Sequence, residues 1–152
     1  MTPKQYLSQY QRAYMIVRLA ASRVEQAEHD AAGIRAIIYS DMPKSHNVEH
    51  DLSDAMVRIE EAAAEYKAIV KANTGIMSEV AATILEVDDD REMRVLWLRY
   101  IDGIKDEYAL ASAMGYEPRW MWELHGRGLA SVRRILEDRK KECSDNAVDQ
   151  LL

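Results

Sequence analysis

Apolar residues recur from Tyr6 to Ile38 in alternating steps of four and three, at Tyr6, Tyr10, Ala13, Val17, Ala20, Val24, Ala27, Ala31, Ile34 and Ile38. Such steps place one stripe along one side of an α-helix, and over this length they predict a long helix lying against partner helices. Thr2 and Pro3 supply a cap and a first-turn proline. The polar, proline-containing run from Tyr39 to Asn47 ends the pattern and reads as a loop. A second stripe follows at Leu52, Met56, Ile59, Ala63, Tyr66, Val70, Asn73, Met77, Val80, Ile84 and Val87. The two stripes predict an antiparallel helical hairpin, coiled-coil-like, each helix about 50 Å long. Asn73-Thr74-Gly75, on the second stripe, reads either as a hinge or register-fixing polar contact, or as a local kink or solvated turn.

The pattern shortens after Asp88-Asp89-Asp90. Asp89 with Glu92 three residues on has the spacing of a capping box, a better account of the three carboxylates than a magnesium site. A helix over Arg91 to Ile101 offers Met93, Leu96, Trp97, Tyr100 and Ile101 to a core, and Gly103 ends it. A second runs from about Lys105 to Met114, with Tyr108, Leu110, Ala111 and Met114 inward, closed by Gly115 in the left-handed conformation. Pro118 begins a third, continuing to about Lys141 with Met121, Leu124, Leu129, Val132 and Leu136 inward. Three short helices between two sharp breaks predict a helix-turn-helix. The expected organisation is all-α: a helical hairpin over 1–88 with its loop at about 39–48, a helix-turn-helix domain over 89–141, and a flexible tail over 142–152.

Composition supports the helices and narrows the chemistry. Hydrophobic residues make up 48% of the 152, aromatics only 7% with no Phe, and the apolar content leans on Ala and Met, which suit helices. A net charge of -6 excludes a generic polyanion binder. Charge is uneven, however: residues 51–88 carry eight acids against three bases, whereas 118–141 carry seven bases against three acids. Any nucleic-acid face is therefore expected on the late basic segment. The single cysteine, Cys143, has no internal disulfide partner, which suits a reducing compartment. No signal-peptide or membrane-spanning run is present, so a soluble, cytoplasmic protein is expected.

His46 and His50, an i, i+4 pair beside Glu49 and Asp51, straddle a loop-to-helix boundary and read as solvated helix-start residues rather than a zinc site. No Gly-rich phosphate loop or nucleophile elbow occurs. Neither a cofactor, a metal nor an enzymatic activity is expected.

The runs LRYIDG at Leu98 to Gly103 and LASAMGYEPRWMWELHGRGL at Leu110 to Leu129 resemble small phage-encoded transcriptional regulators of the ArpU and RinA kind. The C-terminal part of that family is similar to region four of bacterial sigma factors. The resemblance covers about the last third of the chain. It implies that the third helix docks in the major groove of double-stranded DNA, with Pro118, Arg119, Trp122 and Glu123 facing the groove and Arg127 near the backbone. It also implies a contact to RNA polymerase, with the hairpin dimerising or meeting polymerase. His125 matches the family's histidine and is expected to cap or pack within the last helix. Glu117, Pro118 and Trp122 depart from the family's usual Ser, Arg and polar reader. Arg133 and Arg134 join the candidate DNA-binding set through the basic end of the helix. Trp120 and Trp122 cannot share one face, so one is expected to be exposed or in an interface. Two other readings fit the same residues: a non-enzymatic protein-interaction module that keeps the fold, and a small-terminase-like DNA-packaging adaptor.

Overall fold

A computed structural model describes residues 1–40, Pro43 and 48–149. The chain is all-α: the described residues contain helices and no strand. The helices are α1 (Pro3–Ile38), α2 (Val48–Leu85), α3 (Asp90–Leu96), a π-helical turn (Trp97–Ile101), α4 (Glu107–Met114) and α5 (Pro118–Asp149). His46 and most of the expected loop lie outside the described residues. Two compact units form, Met1–Arg12 with Ile76–Leu152, and Ala13–Gly75.

In the Ala13–Gly75 unit the first predicted stripe is the more buried side of α1. Ala13, Ala20 and Ala31 are fully buried, and Val17, Val24, Ala27 and Ile34 are half-buried. On α2 the stripe departs from expectation: Met56 and Ala63 are exposed, and Ala55 and Ala62 take the inward positions. Both choices satisfy a step of three or four, and at Ala55 against Met56 the smaller alanine admits closer backbone approach. Pairing runs in opposite chain order, with Arg23 on Glu65 at 2.8 Å and the Arg35 guanidinium on the Met56 sulfur at 3.3 Å. Asn73 and Thr74 bond back to their own helix, to the Ile69 carbonyl at 2.8 Å and the Val70 carbonyl at 2.6 Å. Helix α2 continues through these residues to Leu85, so no turn interrupts it there.

The other unit holds two apolar clusters. Tyr6 and Leu7 of α1, Val80, Ile84 and Val87 around the end of α2, Leu96, Tyr100 and Val132 make the first. Val95, Leu110, Ala111, Met114, Met121 and Leu124 make the second, between α3, α4 and α5. Helix α1 starts with a reciprocal capping box: the Thr2 hydroxyl accepts from the Gln5 amide at 3.2 Å, and the Gln5 side chain accepts from the Thr2 amide at 2.9 Å. Buried polar groups are tied together. Tyr6 and Thr83 hydroxyls meet at 3.0 Å, and Arg139 of α5 donates to Thr83 at 2.8 Å and to Glu86 at 2.6 Å. Among the described residues no buried side-chain polar atom lacks a partner.

Asp89 caps α3, accepting from the Arg91 and Glu92 amides at 2.8 and 3.4 Å, and the adjacent Arg91 guanidinium holds its carboxyl below the usual range. Glu92 does not close the expected capping box; its carboxylate accepts from Ser131 of α5 at 3.0 Å. The regular helix expected to Ile101 widens after Leu96, where the Asp102 amide reaches the Trp97 carbonyl at 3.1 Å, five residues back. Gln11 of α1 donates to the freed carbonyls of Tyr100 and Ile101 at 3.1 and 2.7 Å. Gly103 follows at φ +78°, and an added Cβ there would meet the Gln11 amide at 3.1 Å.

Candidate nucleic-acid interface

Local sequence chemistry sets the entry to α5. Asp106 caps α4, accepting from the Ala109 amide at 2.9 Å. Gly115 at φ 71°, ψ 28° ends that helix. Its amide donates to the Ser112 carbonyl at 3.1 Å, and the Tyr116 amide donates to the Ala111 carbonyl at 3.0 Å, the two bonds of a Schellman turn. Pro118 then occupies the first position of α5, where its missing N–H costs nothing. From there Met121, Leu124 and Val132 are fully buried and Leu129 and Leu136 half-buried, as the spacing predicts. Tyr108 corrects the inward set of α4. It is 69% exposed, because Leu110 fixes the inward direction and a residue two positions away points to the opposite side.

The six candidate contact residues fall into three groups. Arg119, Glu123 and Arg127 are exposed on the outer face of the first turns. The Arg119 side chain is 92% exposed and lies 3.8 Å from the Glu123 carboxylate, one helical turn on in the same helix. The Arg127 guanidinium sits 5.2 Å from the centre of the Trp120 ring, which is half-buried against the second apolar cluster.

Trp122 is turned to another set of neighbours. Its indole N–H donates to Glu107 of α4 at 2.9 Å, the Arg99 guanidinium lies 5.3 Å from its ring, and its edge meets the His125 ring at 5.1 Å. Arg99 is itself held by the Lys105 carbonyl at 2.6 Å. Glu107 and Arg99 escape a reading of the sequence, since no local spacing links either to Trp122. His125 is buried, stacked on Tyr100, with Nε2 3.0 Å from the Tyr100 hydroxyl. Burial, with the nearby Arg99 and Lys4 charges, lowers the His125 pKa to about 4, and burial raises that of Tyr100. His125 therefore packs, as neutral imidazole at pH 7.

Arg133 and Arg134 lie apart from Arg119, about 21 Å further along the helix at 1.5 Å per residue. Arg133 lines a cleft of about 820 Å³ with Pro3, Tyr6 and Leu136. Arg134 donates to Ser131 at 3.3 Å and borders a smaller cleft with Glu86, Asp88, Asp89, Glu92 and Asp138. The helix continues past the expected end at Lys141 to Asp149, with residues 141–148 exposed.

Among the described residues no group of three or more His, Cys, Asp or Glu side chains is placed to hold a metal ion. His50 lies 3.1 Å from Asp54. No described helix is long and apolar enough to cross a membrane. No family model, curated protein or solved structure matches the chain.

Proposed function

We propose that α3, α4 and α5 form a sigma-region-four-like helix-turn-helix, carried on a long antiparallel hairpin of α1 and α2, and that the protein is a phage or prophage transcriptional regulator. The start of α5 docks in the major groove of double-stranded DNA, with Arg119 and Arg127 as the principal contacts and a further contact made to RNA polymerase. The observation that carries this reading is the turn from α4 to α5. A left-handed Gly115 and a helix-starting Pro118 fix a short connection, after which the buried Met121, Leu124 and His125 leave Arg119, Glu123 and Arg127 facing outward. Trp122, occupied by Glu107 and Arg99, supports this surface rather than reading bases.

A gel-shift titration across promoter fragments at several salt concentrations tests the reading. Arg119→Ala and Arg127→Ala should each weaken binding and reduce the salt slope by about 1. No affinity for any duplex would sink the function, whereas unchanged affinity in both variants would sink only the contact assignment. A second reading, a protein-interaction module, is favoured by the Arg119–Glu123 pair, which lowers the positive potential of the outer face. Under that reading the full chain retains a protein partner and shows no duplex affinity.

A further inference from the structure

The helical run that ends at Ile101 takes its cap from α1. The last carbonyls of a helix have no partner within it. Here those of Tyr100 and Ile101 accept both hydrogens of one side-chain amide, that of Gln11, at 3.1 and 2.7 Å. Carbonyls only accept, so the amide nitrogen is the atom that must face them. The surroundings are fitted to that amide. Gly103 at φ +78° turns the chain away, and a Cβ on it would meet the Gln11 nitrogen at 3.1 Å and its oxygen at 3.2 Å. Gln11 belongs to the same compact unit as the turn it caps.

What the capped turn carries is the start of α5. Tyr100 is buried, stacks on His125 and has its hydroxyl 3.0 Å from Nε2 of that ring. His125 in turn meets the edge of Trp122 at 5.1 Å. The residue before Tyr100, Arg99, lies 5.3 Å from the centre of the same indole and is tied to the Lys105 carbonyl at 2.6 Å. Two consecutive residues of the π-helical turn thus grip α5. A π turn holds one residue more than an α turn. Closing it would re-aim both side chains, because one residue is about 100° of helix rotation. Trp122 stands three residues after Arg119 and next to Glu123.

We infer that Gln11 is a positioning residue for the outward face of α5. By capping the π-helical turn it fixes Arg99 and Tyr100, and through His125 and Trp122 it sets the direction in which Arg119 and Glu123 point. The consequence for DNA rests on the function proposed above, whereas the linkage from α1 to Trp122 does not.

Three substitutions separate donor chemistry from packing. Gln11→Met keeps the length and removes both donors, Gln11→Glu sets a carboxylate against two carbonyls, and Gln11→Lys restores donors at a helix end that favours a cation. In the full chain labelled with 5-fluorotryptophan, the Trp122 fluorine resonance, assigned by Trp122→Phe, should move in Gln11→Met and Gln11→Glu and return toward the wild-type position in Gln11→Lys. Trp120, packed on the other apolar cluster, should hold its position in all three. If Gln11→Met does not fold by circular dichroism, Tyr100→Phe, which removes only the hydroxyl beside His125, replaces it and should move Trp122 likewise. A Trp122 resonance unmoved by the donor-free variant, or moved as far by Gln11→Lys, would overturn the proposal. On duplex DNA, Gln11→Met should raise Kd about two- to thirtyfold with the salt slope unchanged, since no phosphate contact is lost. Equal duplex affinity in Gln11→Met and wild type would overturn the positioning of Arg119 and Glu123. A wild-type chain without duplex affinity would sink the DNA reading instead, and the fluorine spectra would still decide the linkage.

Discussion

Gly126 and Gly128 stand two residues apart in α5, and the same substitution should act on them with opposite sign. Both become better helix formers as alanine, a gain of about 1 kcal/mol each. A Cβ at Gly126 meets nothing within 4 Å, so Gly126→Ala should raise stability by up to that amount. A Cβ at Gly128 lies 3.0 Å from both Cγ and Cδ1 of Leu96. Leu96 is fully buried in the first apolar cluster, and its branch carbon has no free space to enter. Overpacking of that kind costs about 1–3 kcal/mol. Because the propensity gain is common to both sites, the difference between the two variants isolates the steric term at about 1–3 kcal/mol in favour of Gly126→Ala. Urea unfolding at fixed pH and protein concentration, with equal m-values, measures it. Equal stabilisation by the two substitutions would refute the close α3–α5 packing from which the sign is worked.

Other consequences follow from single residues. His125 is neutral in the folded chain down to about pH 4, whereas the unfolded chain takes up this proton near 6.5. The unfolded state therefore binds more protons between those values. Stability should fall by about 3 kcal/mol from this group as pH drops from 6.5 to 4, and urea unfolding at each pH should show that this share of the slope is absent in His125→Gln. Asp106→Ala should cost about 1 kcal/mol through the lost cap on Ala109, read as a lower urea midpoint. A stability equal to the parent's would show that the α4 cap is idle.

Periodic spacing was enough to read α1, and α5 as far as about Lys141, because each of those stretches has one direction of burial; residues 141–148 of α5 are all exposed and leave no such pattern. Gly115 and Pro118 were legible for a different reason: a left-handed helix end and a first-turn proline are local chemistry and need no knowledge of neighbours. Where two apolar choices compete at adjacent positions, as at Ala55 against Met56, spacing alone does not select, and the tight approach of the partner helix decides for the smaller. The π-helical turn was illegible because it depends on Gln11, ninety residues upstream of Ile101, supplying donors to two carbonyls. The neighbours of Trp122 were illegible in the same way. The resemblance groups it with Arg119 and Glu123, whereas its contacts are to Glu107 and Arg99, and neither contact leaves a periodic trace.

That division of α5 fixes how strong a DNA contact the protein can make under the proposed function. Of the bases on the helix, Arg119 and Arg127 border the groove-facing turns. Arg139 is held by Thr83 and Glu86, and Arg134 borders a cleft rich in carboxylates. A nearby carboxylate both offsets the guanidinium charge and repels the phosphate that would replace it. With Arg119 and Arg127 alone in contact, as proposed, and Glu123 beside Arg119, the logarithm of affinity should fall with the logarithm of salt at a slope no steeper than about -2, since each neutralised phosphate contributes about -0.9. Salt titration of the wild-type chain on one duplex gives the slope directly. A slope near -4 would bring Arg133 and Arg134 into the contact, and would require the DNA to follow α5 about 21 Å beyond its first turn, past the carboxylates of Glu86, Asp89 and Asp138. Those charges make the shallow slope the expected one. They also leave discrimination between sequences to Arg119 and Glu123, the pair that already hold each other in the free protein.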